Sequence, residues 1–244
     1  MSASAYLERV ASMLEQLRRE QLGRIEEAAG IVADAVRRDA IIHIFGTGHS
    51  HMLAEEALYR AGGLAAANAI LDPGLMLRDG ALASTRLERV SGYAEIVAGK
   101  YTLAPGDVLI VVSNSGVNAV PVEMATLGKD AGLTVIAICS LSYASATEPV
   151  AEVGRRLPDV ADLTLDNLGE PGDAVVDLDG GRVRGGPTST VLGAAVLNAV
   201  FVEAAARLAA GGAEPPVYRS ANMPGAAEHN RELVERYRAR VKHL

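Results

Sequence analysis

The sequence predicts an α/β fold, a three-layer αβα sandwich with a five-stranded parallel sheet of the flavodoxin or Rossmann type. Five short apolar runs lack the polar alternation of a half-exposed strand, which is typical of strands buried on both faces. Segments of helix length separate these runs, as they do in βαβ units. The expected strands are residues 40–45, 64–71, 108–112, 133–139 and 160–165.

Helices extend this predicted core at both ends of the chain. Residues 3–38 carry apolar side chains at helical spacing, which predicts a long N-terminal helix. A helix is expected over 188–210, and its apolar part, 191–210, contains three polar or charged residues, which favours a buried helix over a membrane span. A C-terminal helix is expected over about 226–241. The simplest organisation is a single domain over residues 1–244, with its core at about 35–212.

Composition and charge limit the partners that the chain is expected to have. The 244 residues carry a formal net charge of −7, which disfavours nucleic acid and anionic membranes as partners. The single cysteine, Cys139, excludes an internal disulfide and a cysteine metal cluster, and it fits a reducing compartment. We therefore expect a cytoplasmic protein that contacts neither nucleic acid nor membrane.

Hydroxyl-rich turns lie at strand-to-helix junctions, where open α/β sheets bind ligands. Gly46–Ser50 follows the first predicted strand, and Ser113–Gly116 follows the third. Thr188–Thr190 adds further hydroxyl groups at the start of a helix. Backbone N–H groups and the helix dipole favour an anion at such turns, and hydroxyl groups add uncharged donors. This pattern suits a sugar phosphate, with the phosphate on the turns and the polyol beside them.

Two common nucleotide motifs are absent from the first turn. His51 takes the place of the third glycine of a dinucleotide-binding fingerprint, and the turn lacks the Gly-Lys-Ser/Thr of a P-loop. We therefore expect no cofactor. His49 and His51 are two residues apart, a spacing that does not easily direct both rings to one ion. No metal site is expected, with zinc kept as a minority alternative.

The two turns together resemble the paired signature of the sugar isomerase (SIS) domain. This domain is known from the isomerase half of glucosamine-6-phosphate synthase, from phosphoheptose isomerase and from the muramic-acid-6-phosphate etherase. The sequence is also similar, over nearly all of the chain from residue 40, to a family of stand-alone SIS proteins. The stretches that carry this second similarity are residues 54–63, 87–94, 118–121, 186–190 and 228–244.

The resemblance implies a ligand and a set of site residues. It implies a phosphosugar site shared between the subunits of a homodimer or homotetramer. Three acid–base candidates follow from the family pattern, namely Glu56, Glu88 and His229, although Glu56 stands where phosphoheptose isomerase has a histidine. The implied substrate-binding residues are Gly46, Thr47, Gly48, His49, Ser50, Ser113, Asn114, Ser115, Asn118, Thr188, Ser189 and Thr190.

The function that we expect is aldose–ketose isomerisation of a sugar phosphate, with substrate binding better supported than turnover. The reaction needs a base that moves a proton between C1 and C2, and an acid that opens the ring. One alternative is a lyase or etherase that acts on an amino-sugar phosphate. Another alternative is a non-catalytic phosphosugar sensor, although the sequence has no helix-turn-helix extension for DNA binding.

Overall fold

A computed structural model describes residues 2–150 and 152–244, and it confirms the αβα sandwich. Five strands form one parallel sheet in the order β2-β1-β3-β4-β5. The strands of this sheet are β1 (Ile42–Gly46), β2 (Ala67–Ile70), β3 (Val108–Val112), β4 (Thr134–Cys139) and β5 (Leu163–Asp166). The helices are α1 (Ser2–Arg37), α2 (His51–Ala57), α3 (Ala81–Leu87), α4 (Tyr93–Ala98), α5 (Ala119–Asp130), α6 (Leu141–Ala146), α7 (Leu157–Val160), α8 (Ser189–Ala210) and α9 (Ala226–Tyr237).

Apolar side chains leave the sheet on both faces, which explains the uninterrupted apolar runs of the sequence. Ile42 and Ile44 of β1 pack in one core with α1, α2 and α8, whereas Phe45 packs in a second core with α4 and α5. The alternation follows from the pleat of a strand, which directs successive side chains to opposite faces. Helices therefore cover both faces of the sheet. A ligand can reach the sheet only where the strands end.

Several predicted element boundaries are wrong. β2 begins at Ala67 rather than at residue 64, and α9 ends at Tyr237 rather than at about residue 241. The sequence predicts that α2 runs from about residue 51 to residue 61, but the helix ends at Ala57, because Tyr59 has a positive φ of 43° that does not continue a helix. The fifth strand begins at Leu163 rather than at residue 160. Residues 157–160 instead form α7, which has Pro158 in its first turn, where proline is tolerated.

The longest helices, α1 and α8, pack against each other on one face of the sheet. By length and composition α8 could cross a membrane, with a mean hydropathy of 1.7 over its best 18-residue window. Its inward side, which includes Leu192, Val196 and Val200, is buried in the core. The short antiparallel strands β6 (Val176–Asp177) and β7 (Arg184–Gly185) form a hairpin in the connection from β5 to α8, where the sequence suggests one over 174–178 and 182–184.

A buried polar network lies near the amino ends of β1 and β3. Asp107, which is 1% exposed, accepts hydrogen bonds from the Ile41 amide at 2.9 Å and the Ala104 amide at 3.0 Å. Its carboxylate also lies 3.2 Å from His43 Nε2 and 2.5 Å from the Arg240 guanidinium. This network ties the C-terminal segment after α9 to the sheet, at the edge opposite the turns described below.

The network fixes the tautomer of His43. The Lys242 amide donates to Asn68 Oδ1 at 3.2 Å, so the amide nitrogen of Asn68 faces His43 Nδ1 at 3.0 Å. Because that nitrogen can only donate, His43 Nδ1 accepts and the ring carries its proton on Nε2, toward Asp107. The sequence suggests that His43 is a buried structural residue, and these contacts agree with that interpretation.

Candidate functional site

The turns after β1 and β3 start side by side at the carboxyl edge of the sheet. β1 and β3 are neighbours in the sheet, and Gly46 at the end of β1 is in register with Val112 at the end of β3. From β1 the chain runs to β2 on one side, and β3 leads on to β4 and β5 on the other side. The strand order therefore reverses between β1 and β3, and open α/β sheets bind ligands at such a switch point.

A narrow crevice opens at this switch point and joins all three predicted turns. Its cavity volume is about 10 Å³, room for roughly one water molecule, and it brings together residues that are up to 140 positions apart in the chain. Its walls contain hydroxyl and amide side chains and two apolar ones, and no lysine or arginine is among its lining residues. Those lining residues are Ser50, Leu53, Val112, Asn114, Asn167, Ser189 and Thr190.

Glycine is required by the backbone of the first turn. A Cβ atom on Gly46 would lie 2.5 Å from the carbonyl oxygen of Ser50, and Gly48 has a φ of +54°. The Ser50 amide donates to the Thr47 carbonyl oxygen at 2.9 Å, which closes the turn. The Ser50 side chain makes no capping hydrogen bond to the described residues and lies on the crevice, whereas His49 is exposed.

The second turn is held by its own side chains and by Asn167. The buried Ser113 accepts the Gly116 amide at 3.3 Å, and Gly116 has a φ of +65°. Asn114 Oδ1 accepts Asn167 Nδ2 at 2.9 Å. A Cβ atom on Gly169 would lie 3.0 Å from Asn167 and 3.1 Å from Asn114, so glycine allows the chain to pass this amide pair. The pair fixes two neutral polar groups on the crevice wall.

The start of α5 completes the second turn. Ser115 and Asn118 are half-buried, and Asn118 precedes the first residue of this 12-residue helix. The Asn118 side chain makes no capping hydrogen bond within the described ranges 2–150 and 152–244. Amide, hydroxyl and side-chain donors thus lie together at the positive end of a helix, an arrangement that can bind an anion without a cationic side chain.

Glu88 lies between the two turns. Its Oε2 accepts the Thr47 hydroxyl at 2.7 Å, and its Oε1 lies 2.9 Å from the Arg89 guanidinium. Its main-chain carbonyl oxygen accepts the Val120 amide of α5 at 3.0 Å. The side chain is 15% exposed. The connection from β2 to β3 therefore brings a carboxylate, oriented by a hydroxyl group, to the same edge of the sheet as the turns.

The third turn, Thr188–Thr190, makes its polar contacts with Asp173. The carboxylate of Asp173 accepts the Thr188 and Ser189 amides at 2.9 Å each. It also accepts the Thr188 hydroxyl at 3.3 Å and the Ser189 hydroxyl at 2.5 Å. Ser189 and Thr190 line the crevice, whereas Thr188 is fully buried. A negative charge thus lies directly behind this wall.

The segment that carries Asp173 is fixed to α1. Glu170 pairs with Arg9 of α1 at 2.7 Å and with Arg184 at 2.9 Å, and the Tyr6 hydroxyl donates to the Pro187 carbonyl oxygen at 2.8 Å. Burial alone would raise the pKa of Glu170, but the two arginines outweigh burial and hold this pKa below its usual value. The charged anchor keeps this segment next to the crevice.

Within one chain, the other two acid–base candidates, Glu56 and His229, make their contacts away from Glu88. Glu56 accepts the Asn198 side chain of α8 at 3.1 Å and pairs with Arg60. His229 Nε2 lies 2.9 Å from the carbonyl oxygen of Val217, which bridges to Leu64 ahead of β2. His229 is therefore near the amino edge of the sheet, opposite the crevice.

The residues that could hold a metal are dispersed. Within residues 2–150 and 152–244, no group of three or more His, Cys, Asp or Glu side chains could hold a metal ion. His51 is buried and its Nδ1 faces the Gly48 carbonyl oxygen, whereas His49 is exposed. Burial raises the pKa of the Cys139 thiol to about 12, so at neutral pH the group stays protonated in the core.

Sequence comparison assigns the chain to a known family. A family model described as the SIS domain matches residues 5–140. The chain belongs to the SIS domain family. SIS domains bind phosphorylated sugars. The UPF0309 protein of Brucella canis is 46% identical over 239 residues, which cover 98% of this chain and 97% of that protein.

Solved structures of SIS proteins share the fold of this chain. A candidate phosphosugar isomerase of Silicibacter pomeroyi is 16% identical and covers 85% of this chain and 53% of its own, with a TM-score of 0.53. Phosphoheptose isomerase of Neisseria gonorrhoeae is 17% identical over 81% of this SIS chain and 96% of its own, with a TM-score of 0.49. The family model over residues 5–140 confirms the sequence resemblance to the SIS domain.

Sequence reasoning missed two residues of this SIS domain site. Asn167 lines the crevice and Asp173 bonds to Ser189, and both lie in the connection between β5 and α8. Asn167 directly follows β5, and the rule that sites form at the carboxyl ends of strands could have identified it. Asp173 lies in an irregular segment, and no sequence pattern connects it with the start of α8.

Proposed function

We propose that the chain binds a monophosphorylated sugar in the switch-point crevice and interconverts its aldose and ketose forms. The observation that carries this proposal is the meeting of uncharged hydroxyl and amide side chains from three separate turns in and beside one crevice. Ser113, Ser115, Asn118 and the start of α5 would hold the phosphate, together with Ser50. The remaining polar side chains, from Asn114 to Thr190, would face the sugar hydroxyl groups.

Glu88 is the base in this proposal. Its carboxylate would remove the proton from C2 of the open-chain aldose and return it to C1, while a proton moves from O2 to O1. The hydrogen bond from Thr47 holds one carboxylate oxygen in place, which favours a base with a fixed orientation. Gly46, Gly48 and His49 would then belong to the turn that brings the reacting carbons next to this base.

A ligand panel tests the binding step. A sugar phosphate at a hundredfold of its Kd adds about 2.7 kcal/mol to the free energy of unfolding, because it binds only the folded chain. We expect glucose, fructose or glucosamine 6-phosphate to raise the Tm and the unphosphorylated sugars to leave it unchanged. Replacing Ser115 with alanine should weaken binding by about tenfold or more, the usual effect of losing a hydrogen bond to a charged group.

The matched control for this panel is Ser145→Ala, which removes an exposed hydroxyl on α6. It should bind like the wild type. If no sugar phosphate changes the Tm of the wild type, the proposal fails. NMR of the bound mixtures separates the reactions: aldose–ketose exchange supports the isomerase, loss of the C3 substituent identifies a lyase or etherase, and binding without turnover identifies a sensor.

We further propose that the site is completed by a second copy of the chain in a homodimer. A groove between α1 and α8 is lined almost entirely by apolar side chains, and the exposed side of α8 continues it as an apolar stripe. The stripe starts directly after Ser189 and Thr190, so a partner packed on it would also cover the open side of the crevice. Its members are Val191, Ala195, Ala199, Val202 and Ala206.

A charged residue on this stripe should separate the subunits. Val202 is 66% exposed, and burying a glutamate there in an apolar interface would be costly. We expect Val202→Glu to lower the sedimentation mass to that of a monomer and to weaken sugar phosphate binding. Ile96→Glu, at a 59% exposed position on α4 across the sheet, should leave the mass unchanged. A wild type that sediments as a monomer would contradict the dimer.

Glu56 is relevant to this dimer because its partner Asn198 lies on the same side of α8 as the stripe. In the proposed homodimer Glu56 would therefore lie beside the interface, where a carboxylate of one subunit can approach the crevice of the other. His229 is on the opposite edge of the sheet and would need a different contact, such as one in a homotetramer.

A further inference from the structure

The Asp173 carboxylate compensates the partial positive charge at the start of α8. The first amides of a long helix attract anions, because their N–H groups lack partners inside the helix. Here the Asp173 carboxylate accepts both the Thr188 and the Ser189 amide. The charge that a ligand phosphate could supply at this wall of the crevice is therefore already present in the protein.

The same carboxylate sets the direction of the hydroxyl groups. The Thr188 and Ser189 hydroxyl groups both donate hydrogen bonds to Asp173, since an ionised carboxylate can only accept them. A hydroxyl group has one proton, so the Ser189 oxygen has only lone pairs left for the crevice that it lines. At Ser189 this wall accepts hydrogen bonds from sugar hydroxyl or ammonium groups and has no proton to offer an anion, which leaves Thr190 as its hydroxyl donor.

The backbone at Asp173 shows that this contact is maintained at some cost. Asp173 has a φ of +50°, a conformation that residues other than glycine seldom adopt. The surrounding segment is held by the ion pairs of Glu170 with Arg9 and Arg184. The two ends of the crevice therefore differ: the start of α5 offers uncharged donors, and the start of α8 offers acceptors backed by a negative charge.

From this asymmetry we infer that Asp173 is a specificity-determining residue. It restricts the ligand to sugar monophosphates in which the end opposite the phosphate is neutral or cationic. The inference rests on the proposed function, because it assumes that a phosphate occupies the turn at the start of α5. A second phosphate or a carboxylate at the other end would meet the Asp173 charge and find no donor at Ser189. The charge of Asp173 thus disfavours bisphosphates.

The test compares two open-chain probes that cannot be isomerised, glucitol 6-phosphate and glucitol 1,6-bisphosphate. Calorimetry should show that the wild type binds the monophosphate at least about tenfold more tightly, as expected for like charges a few ångströms apart. In Asp173→Asn the charge is removed, and the Ser189 hydroxyl becomes free to donate to the crevice. This variant should bind the bisphosphate about tenfold or more tightly than the wild type does, with little change for the monophosphate.

Each outcome has a defined meaning. If Asp173→Asn changes the affinities for both probes equally, or if the wild type binds both equally, Asp173 does not set specificity. If the wild type binds neither probe, the proposed function fails, whatever the variant does. Asparagine tolerates positive φ well, so the variant should fold. Asp173→Gly, for which a positive φ is unstrained, is a second variant that removes the charge and should shift the preference in the same direction.

Discussion

Replacing Glu88 with glutamine is expected to lower the rate of aldose–ketose interconversion by about 10²–10⁴-fold, the usual contribution of a positioned general base. Glutamine has the shape of glutamate and can still accept the Thr47 hydrogen bond through its amide oxygen. It cannot take a proton from carbon. Binding of the sugar phosphate, measured by calorimetry, should therefore change little while kcat falls.

A second glutamate serves as the control for this result. Glu95 is an exposed carboxylate on α4, and Glu95→Gln should retain the wild-type kcat. The account of Glu88 is wrong if Glu88→Gln and Glu95→Gln have the same kcat as the wild type. If Glu88→Gln instead loses affinity and keeps kcat, Glu88 shapes the turn around Thr47 and does not act as the base.

Replacing Asp107 with alanine should destabilise the fold by about 3–5 kcal/mol, the range for breaking a buried ion pair from one side. The substitution removes the acceptor for the Ile41 and Ala104 amides and leaves the Arg240 guanidinium without its carboxylate. Urea unfolding measures the loss. Asp39→Asn, which removes the charge of the exposed pair with Arg236 at a φ of +58° that asparagine tolerates, should cost less than about 1 kcal/mol. Equal losses in the two variants would refute the structural role of Asp107.

The Asp107 network also predicts how stability depends on pH. Burial alone would raise the pKa of Asp107, but hydrogen bonds from His43 and from the Ile41 and Ala104 amides outweigh it and hold this pKa below its usual value. The stabilisation is therefore fully present above the unfolded-state pKa of about 3.9 and is lost as the pH falls through the lower folded-state value. Asp107→Asn should flatten the acid side of the stability curve, and an unchanged slope would contradict this assignment.

The sheet and the two main turns could be predicted from the sequence because both have local signals. Uninterrupted apolar runs indicate strands buried on two faces, and hydroxyl-rich turns after such strands indicate a ligand site. The adjacency of Gly46–Ser50 and Ser113–Gly116 needed only the order of the strands. The end of α2 at Ala57 was missed, since the positive φ of Tyr59 depends on tertiary packing and has no glycine to mark it.

The remainder of the site depends on contacts between residues far apart in the chain. Asp173 meets Ser189 across 16 positions of irregular backbone, and Asn167 meets Asn114 across 53. The partners of Glu88 also come from two other elements, Thr47 after β1 and Val120 in α5. Residue types and spacing predict that a carboxylate or an amide is available, but only the folded chain shows which of them meet.

A crystal structure of the protein with glucitol 6-phosphate tests the central claim most directly. We expect the phosphate to lie within hydrogen-bond distance of Ser113, Ser115 and the first amides of α5, with the polyol extending toward Ser189. A phosphate bound at saturation anywhere other than the crevice at the ends of β1 and β3 would contradict the account.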